Sequence, residues 1–458
     1  MTMSTSSALR ASHYLAVSPA VGRRAFRMVY STRSARSLLV SDADWADVQH
    51  GRIEQLPVAL KTALVEHKIL VPAHEDERAV VVAHNKASIK SDDMLYLGIA
   101  PSANCQLGCD YCGQKHENRR MDDAIMQGLL KRAEHKLAQR GGYRRLQIGW
   151  FGAEPLLGIA SIRTLSPRLQ ALAKEHGLAY SAQMATNGVA LTPRLFFELV
   201  EQHRVMAFDI TLDGAREFHD QRRVTKDGRP SFDTILNNLK GIAADPRFAS
   251  CGAWISIRCN VDGRNHDGTI ALVETLREQD LLRHFRFYTA PVHSWGNDAH
   301  LESLSQQRYA DFEVDLLGRL MDAGQSPSLV PKALKPIVCM SVREEAELID
   351  PYGEAFNCTE VSQVPAYQEV RFYRLDDVRK PAIHPPKARP YADWNDRILA
   401  GEVPCHSCRI LPICGGKCPK HWTEGISPCP SIKHNIEARL TLEMVRLNRQ
   451  GRLVNRSQ

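Results

Sequence analysis

The middle of the chain alternates short runs of apolar, often β-branched residues with longer segments in which apolar residues recur at helical spacing. The apolar runs predict strands at 94–100, 146–151, 180–185, 207–212, 254–261 and 285–290. Helices are predicted between them, for example at 122–138, 193–202, 232–244 and 269–279. Regular alternation of strands and helices is typical of a parallel sheet. We therefore predict an α/β fold with a partial (β/α)6 barrel over residues 91–328, whose site lies at the carboxyl ends of the strands.

The segments before and after the barrel follow other patterns. Within residues 25–90 the order is strand, helix, helix, strand and strand, at 27–40, 42 onward, 56–66, 69–72 and 78–83. This order predicts a winged-helix-like module, preceded at 1–24 by a flexible tail rich in Ser, Ala and Arg. Residues 329–432 have much Cys, Pro and Gly and little helical periodicity, so we expect metal to stabilise them. The C-terminal segment, 433–458, is expected to be a helix and a tail, with the helix at 432–448.

Composition and charge narrow the classes of partner. The chain has 458 residues, of which 43% are hydrophobic and 24% charged, and a net charge of +7. This charge is too small to indicate nucleic-acid binding. The sequence has no apolar run of the roughly 18 residues that a membrane span needs, and no apolar segment of a secretory signal. We therefore expect a cytoplasmic protein that binds neither nucleic acid nor membrane and keeps its cysteines reduced.

Cysteine is the residue that indicates chemistry. Cys105, Cys109 and Cys112 follow the first predicted strand with the spacing C-x3-C-x2-C. Three thiolates on one short loop can hold three irons of a cubane cluster and leave the fourth iron open. A zinc loop is the alternative interpretation, but a structural zinc site would need a fourth ligand.

This spacing, with the aromatic Tyr111 directly before the last cysteine, resembles the signature of the radical S-adenosylmethionine (SAM) superfamily. The resemblance implies that SAM binds the open iron of a [4Fe-4S] cluster. It also implies that reduction cleaves SAM to a 5′-deoxyadenosyl radical, which removes hydrogen from a substrate. Tyr111, beside the cluster, is included among the expected cofactor-binding residues.

Other expected SAM contacts lie at the ends of the later strands. The run Gly152, Ala153, Glu154 and Pro155 resembles the family's G-G-E-P turn, which holds the methionyl amine, with alanine in place of the second glycine. Thr211 and Arg223 match residues that contact the sugar or carboxylate of SAM in the peptide-modifying branch. Arg258 is expected to contact the cofactor from the polar face of the fifth strand.

Seven further cysteines lie near the end of the chain with regular spacing: Cys339, Gly353-x4-Cys358, Cys405-x2-Cys408-x5-Cys414-x3-Cys418 and Cys429. One zinc ribbon would use only four thiols, so seven indicate two further iron–sulfur clusters. The pattern resembles the SPASM extension of peptide-modifying radical SAM enzymes. That resemblance assigns an outer cluster to Cys405, Cys408, Cys414 and Cys429. It assigns an inner cluster to Cys339, Cys358 and Cys418, whose fourth iron is open or takes a ligand other than cysteine.

The two resemblances cover about 94–432 and imply three [4Fe-4S] clusters, one catalytic and two auxiliary. In anaerobic sulfatase-maturating enzymes, an Asp follows the cysteine of the G-x4-C element and is the proposed base, whereas here Thr359 and then Glu360 follow. We therefore predict an oxidoreductase that crosslinks a ribosomally made precursor peptide through a thioether, carbon–carbon or carbon–oxygen bond. The alternative is oxidation of a protein Cys or Ser to formylglycine. A third alternative, a non-catalytic electron-transfer or zinc protein, would need no SAM pocket.

The resemblance also implies two partners. Peptide maturases often carry a winged-helix module that binds the leader of the precursor as an added strand. Residues 25–90 have a suitable length and order for this role, and a plain structural cap is the alternative. The implied electron donor is a cellular flavodoxin or ferredoxin.

Overall fold

The structure, a computed structural model, describes residues 8–22, 25–380 and 389–452. Its N-terminal module contains β1 (Leu9–Ala11), β2 (Leu15–Val17), β3 (Phe26–Ser31), β4 (Arg36–Ser41), α1 (Asp42–Gln49), α2 (Val58–Glu66), β5 (Leu70–Pro72) and α3 (Glu77–Lys90). Strands β2, β3 and β4 form an antiparallel sheet, and β1 pairs with β5. Val29, Trp45, Leu64 and Ile69 pack together between these elements and form the core of the module.

Two expectations for this module are wrong. Residues 8–22 are not a tail, because β1 and β2 lie there and pair with later strands; the rest of that segment, 1–7 and 23–24, lies outside the described residues. The β-branched segment 78–83 is part of α3 and not a strand. The Asp76 side chain caps that helix by accepting a hydrogen bond from the Ala79 amide, and Val81 and Val82 are buried on one face. The cap and the buried face outweigh the strand preference of valine.

The barrel contains all six predicted strands within two residues of their predicted bounds. Its elements are β6 (Met94–Ile99), α4 (Asp123–Gln139), β7 (Arg145–Trp150), α5 (Ile159–Glu175), β8 (Ala179–Thr186), α6 (Pro193–Glu201), β9 (Val205–Thr211), α7 (Arg216–Arg222), α8 (Phe232–Ala244), β10 (Trp254–Val261), α9 (His266–Glu278), β11 (Arg286–Pro291) and α10 (Gln306–Asp322). Strands β6 to β11 are parallel and adjacent in chain order. The predicted α/β fold with a partial parallel barrel is therefore confirmed.

The cysteine-rich region extends the same sheet. Its elements are β12 (Glu347–Ile349), β13 (Glu354–Phe356), β14 (Arg374–Asp377), α11 (Trp394–Leu399), α12 (Leu411–Cys414), α13 (Pro419–Thr423) and α14 (Ile432–Arg449). Strand β12 runs parallel to β6, and β13 and β14 follow it antiparallel, so the sheet order is β11-β10-β9-β8-β7-β6-β12-β13-β14. The backbone of the barrel is thus continuous with the region that carries the second set of cysteines.

Helix α14 joins the two ends of the chain. Its buried residues Ile436, Leu440 and Met444 contact Met28 and Tyr30 of β3 in one apolar cluster. The N-terminal module is therefore held against the cysteine-rich region. Within residues 8–22, 25–380 and 389–452, no helix combines the length and apolar character that crossing a membrane requires.

Candidate active site at the carboxyl ends of the strands

A cavity at the carboxyl ends of the parallel strands brings together the first set of cysteines. Its walls contain Cys105, Cys109 and Cys112 from the loop after β6, together with residues from the ends of β7 to β11. The loop is held in place by backbone hydrogen bonds to the segment after α7. The Gly108 amide donates to the Val224 carbonyl at 2.9 Å, and the Lys226 amide donates to the Gln106 carbonyl at 2.9 Å.

The three thiols line one cavity and suit three irons of a cubane cluster. Burial raises the pKa of Cys105 to about 11 and that of Cys109 to about 12. Both thiols therefore keep their protons until a bound metal displaces them.

Tyr111 is the centre of a buried hydrogen-bond network beside the loop. Its hydroxyl donates to the Asp213 carboxylate and accepts hydrogen bonds from the Arg223 guanidinium and, at 3.0 Å, from the Asn260 amide. Asp213 is fully buried and also accepts from the Asn260 backbone N–H at 2.7 Å. The structure thus brings the predicted residues Tyr111 and Arg223 into direct contact. It adds Asp213 and Asn260, to which the sequence interpretation gave no role in cofactor binding.

The turn after β7 divides into residues on the cavity wall and residues behind it. Gly152 and Ala153 line the cavity, whereas Glu154 and Pro155 are buried behind them. The Glu154 carboxylate accepts hydrogen bonds from the Thr186 hydroxyl at 2.7 Å, the Asn187 amide at 2.8 Å and the Leu156 amide at 3.0 Å. Burial raises the pKa of Glu154 in spite of these donors. In this structure Glu154 therefore ties the end of β7 to the end of β8.

Only the first position of this turn requires glycine. Gly152 has a φ of +106°, and a Cβ there would lie 2.6 Å from the Ala100 Cβ. Ala153, which replaces the second glycine of the resembled motif, is not among the positive-φ residues. The departure from that motif therefore puts no strain on the backbone.

Residues on β9 and β10 complete the cavity. Thr211 and Arg258 line it as expected, and Asp209 and Asn260 line it beside them. The Arg258 Nε donates to the Asn260 side-chain oxygen at 2.8 Å, which fixes the guanidinium against the wall. The sequence interpretation assigned no role to Asp209, although its place on the same strand face as Thr211 gave the signal. The cavity thus combines three thiols with the two arginines Arg223 and Arg258 at the carboxyl ends of the strands.

Comparison with known proteins decides what kind of domain this is. Residues 99–244, which include this loop and the ends of β7, β8 and β9, match the sequence profile of the radical SAM superfamily. The chain carries a radical SAM domain.

Sequence similarity to known proteins extends beyond the radical SAM domain. The chain is 28% identical over 138 residues to the serine-type anaerobic sulfatase-maturating enzyme of Klebsiella aerogenes. This alignment covers 30% of this chain and 33% of that enzyme. The chain is also 21% identical over 363 residues to the enzyme of the same name from Bacteroides thetaiotaomicron. That alignment covers 71% of this chain and 83% of the Bacteroides enzyme. The fold is similar to that of anSMEcpe with bound AdoMet, with a TM-score of 0.55, 16% identity and coverage of 79% and 100% of the two chains.

The radical SAM domain identifies the chain as an enzyme, with SAM and an iron–sulfur cluster as the cofactors of this class. The relatives support the SPASM-type maturase branch that the cysteine spacing resembles. The match spans about a third of the length of the Klebsiella enzyme.

The second set of cysteines forms two groups behind the radical SAM domain. Cys405, Cys408, Cys414 and Cys429 surround one small cavity, and these are the four thiols assigned by resemblance to an outer cluster. Cys339, Cys358 and Cys418 form the other group. Burial, followed by the nearby charge of Glu360, raises the pKa of Cys418 to about 12. The donor chemistry of both groups suits iron–sulfur clusters.

A loop after β11 links the two cysteine regions. The Trp295 indole N–H donates to the Glu360 carbonyl at 2.8 Å, and the Asn297 side-chain amide donates to the Tyr111 carbonyl at 3.2 Å. The loop also lies directly on Gly113, where a Cβ would be 1.8 Å from the Trp295 carbonyl oxygen. His293 and Trp295 of this loop line the main cavity.

Proposed function

We propose that this enzyme is a radical SAM peptide maturase that removes hydrogen from a ribosomally made precursor peptide and installs a crosslink. The observation that carries the proposal is the loop at 292–297, which lines the cavity of the first three cysteines and also bonds to Glu360, two residues after Cys358 of the second cysteine region. A peptide lying in that cavity would be next to the radical source and, across this loop, near the proposed electron acceptors. Crosslinking needs both, because ring closure after hydrogen removal releases an electron.

The proposed roles of the cavity residues follow from their geometry. When bound, the [4Fe-4S] cluster and SAM would supply the 5′-deoxyadenosyl radical, with Cys105, Cys109 and Cys112 as the ligands of the cluster. The backbone at Gly152 and Ala153 would hold the methionyl amine, and Glu154 would fix that turn from behind. The positive charges of Arg223 and Arg258, with the Thr211 hydroxyl, would hold the carboxylate and ribose.

The proposed auxiliary clusters would use the seven remaining grouped thiols, which gives three clusters in all. Cys405, Cys408, Cys414 and Cys429 would bind the outer cluster and Cys339, Cys358 and Cys418 the inner one. Lys433 supports the outer assignment, since its ammonium is 3.3 Å from the Cys429 sulfur and stabilises a thiolate. Electrons would enter from a flavodoxin or ferredoxin.

We also propose that the N-terminal module binds the leader of the precursor. Strand β4 is at the edge of its sheet, so its outer backbone groups could pair with an added strand. A groove beside it is lined by Met28, Leu38 and Leu39 from the sheet and by Leu447 of α14, together with polar residues that include Glu443 and Arg452. An edge strand next to a partly apolar groove could bind an extended peptide through its backbone and through alternate side chains.

Replacing Leu39 by arginine should weaken binding of the precursor about tenfold or more, because a charge would replace an apolar side chain of the groove. Fluorescence anisotropy with a labelled precursor measures this. Val58→Arg introduces the same charge at a position that is 81% exposed on the same module and should leave binding unchanged. Equal binding by the Leu39 variant, with its thermal stability retained, would remove the leader role from this groove.

The reaction is tested by co-expressing the enzyme with a short peptide encoded beside it and analysing the product by mass spectrometry. A crosslink should remove the mass of two hydrogen atoms per event, block fragmentation between the joined residues, and leave no aldehyde. Unmodified mass in every candidate peptide would contradict the proposal.

The second candidate function is oxidation of a protein Ser or Cys to formylglycine, and the named relatives support it. Against it stands Thr359, which occupies the position of the proposed catalytic Asp and cannot act as a base. Oxidation of Ser to formylglycine also removes two hydrogen atoms, so mass alone does not separate the two reactions. A hydrazide reagent does, because it captures the aldehyde of formylglycine and not a crosslinked residue.

A further inference from the structure

Three side chains from distant parts of the chain converge between the barrel and the cysteine-rich region. His293 lies in the loop after β11, Glu360 follows β13, and His421 lies on α13. The Nε2 atom of His293 is 3.8 Å from Glu360 Oε2, and the Nε2 atom of His421 is 3.7 Å from the same oxygen. The three ligand atoms all lie within 4.8 Å of one another. We call this group the His–Glu–His site.

The atoms of the site that face one another are not satisfied by hydrogen bonds. Both distances to Glu360 Oε2 exceed hydrogen-bonding range. Glu360 Oε2 and His421 Nε2 are buried without a partner among the described residues, and the His421 side chain is only 9% exposed. Such groups cost free energy when nothing binds them.

The nearest lysine is already engaged. The Lys420 ammonium is 3.0 Å from the Glu424 carboxylate and lies 4.5 Å from the centre of the Tyr367 ring. Among the described residues, Lys420 therefore pairs with Glu424 and makes no salt bridge with Glu360. The unsatisfied oxygen and the two imidazoles point to a ligand that accepts electron pairs from all three.

We propose that His293, Glu360 and His421 bind one divalent transition-metal ion of the zinc or Fe(II) class. Two ligands at about 2.1 Å in a tetrahedron are about 3.4 Å apart, close to the separations in the site. Two histidines with one carboxylate are a common ligand set for zinc and for non-haem iron, and such sites keep a coordination position open. The ring centroids of His293 and His421 are 4.8 Å apart, and the Nε2 atoms of both rings lie within 3.8 Å of the same Glu360 oxygen.

The position of the site gives the ion a use. His293 also lines the cavity that contains the first three cysteines, so the ion would border the place where a substrate enters. The open position would take a carboxylate, imidazole or thiolate side chain of the substrate and hold the peptide against the radical source. This last step rests on the proposed peptide-modifying function, whereas the metal site itself does not.

Zinc binding tests the site directly. The anaerobically reconstituted full-length enzyme is freed of loosely bound metal with a chelator, and uptake of radioactive zinc is measured by equilibrium dialysis. One equivalent should bind with iron and sulfide contents unchanged. His293→Gln, Glu360→Gln and His421→Gln should each weaken this binding by at least about tenfold. The control His300→Gln alters an exposed histidine near the same loop and should keep full uptake.

Each remaining outcome overturns the proposal. Absence of zinc uptake by the enzyme with all its clusters would do so, and so would uptake that survives all three substitutions, because the zinc would then bind elsewhere. Loss of iron from the Glu360 or His421 variant instead of zinc would assign that residue to the inner cluster. An unchanged circular dichroism spectrum of the variants shows that they fold. Because the measurement needs no substrate peptide, a failure of the proposed crosslinking reaction leaves it interpretable.

Discussion

Replacing Cys109 by alanine should abolish the formation of 5′-deoxyadenosine from SAM and dithionite, with a loss of at least about a hundredfold. Substitution of groups that only support a metal ligand typically costs ten- to a hundredfold, so loss of a ligand should cost more. Cys109 lines the main cavity with Cys105 and Cys112, and two thiolates cannot keep the cubane in place. Quantifying 5′-deoxyadenosine by chromatography under anaerobic conditions gives the result. The variant should also lose the iron of one cluster and keep the rest.

Two other cysteine substitutions make this result specific. Cys259→Ala removes a buried thiol of β10 that bonds to the Thr269 hydroxyl and belongs to neither cysteine region, so it should leave 5′-deoxyadenosine formation intact. Cys408→Ala should disturb the outer group, leave 5′-deoxyadenosine formation largely intact, and prevent formation of the crosslinked product. A Cys109 variant that still cleaves SAM at the normal rate would show that the first three thiols do not hold the catalytic cluster.

The parts of the molecule that could be predicted from sequence are those determined by residues close together in the chain. Each barrel strand is a short apolar run and is found at its predicted place. Because such a strand is buried on both faces, its apolar run can be recognised without knowing which strands it pairs with. The cysteine groups follow from spacing, which restricts where the thiols of one loop or helix can lie. Tyr111 and Arg223 could be assigned through the motifs in which they stand, and the structure brings their side chains into contact.

The parts that could not be predicted depend on contacts between distant segments. Asp213 accepts from Tyr111, and the two are joined only when the loop after β6 meets the end of β9. The His–Glu–His site needs three separate elements to meet. Strand β1 has three residues and pairs with β5 from the other end of the module, so no local pattern marked it as a strand. Strand β12 likewise joins β6 through long-range pairing.

A buried ion network makes the junction between the barrel and the cysteine-rich region sensitive to one substitution. Glu347 of β12 is fully buried and accepts two hydrogen bonds from the Arg132 guanidinium of α4, at 2.7 and 2.9 Å. Lys136 lies 3.0 Å from the same carboxylate, and Arg132 also bonds to Asp376 of β14 at 2.6 Å. Glu347→Gln should destabilise the protein by about 3–5 kcal/mol, because it leaves buried cations without their carboxylate. Anaerobic thermal denaturation should show this as a fall in Tm of several degrees.

The matched control and the pH dependence follow from the same geometry. Glu345 also pairs with Lys136, at 2.5 Å, but its side chain is 30% exposed, so Glu345→Gln should cost no more than about 1 kcal/mol. Burial alone would raise the pKa of Glu347, but the hydrogen bonds from Arg132 and the charges of Lys136 and Arg132 lower it to about 2. Its stabilisation is therefore complete above the ordinary pKa of a glutamate and is lost only as the pH falls towards 2. The difference in Tm between the wild type and Glu347→Gln should thus stay constant from about pH 8 to pH 6. A difference that changed steeply in that range would mean that a histidine, and not Glu347, controls the junction.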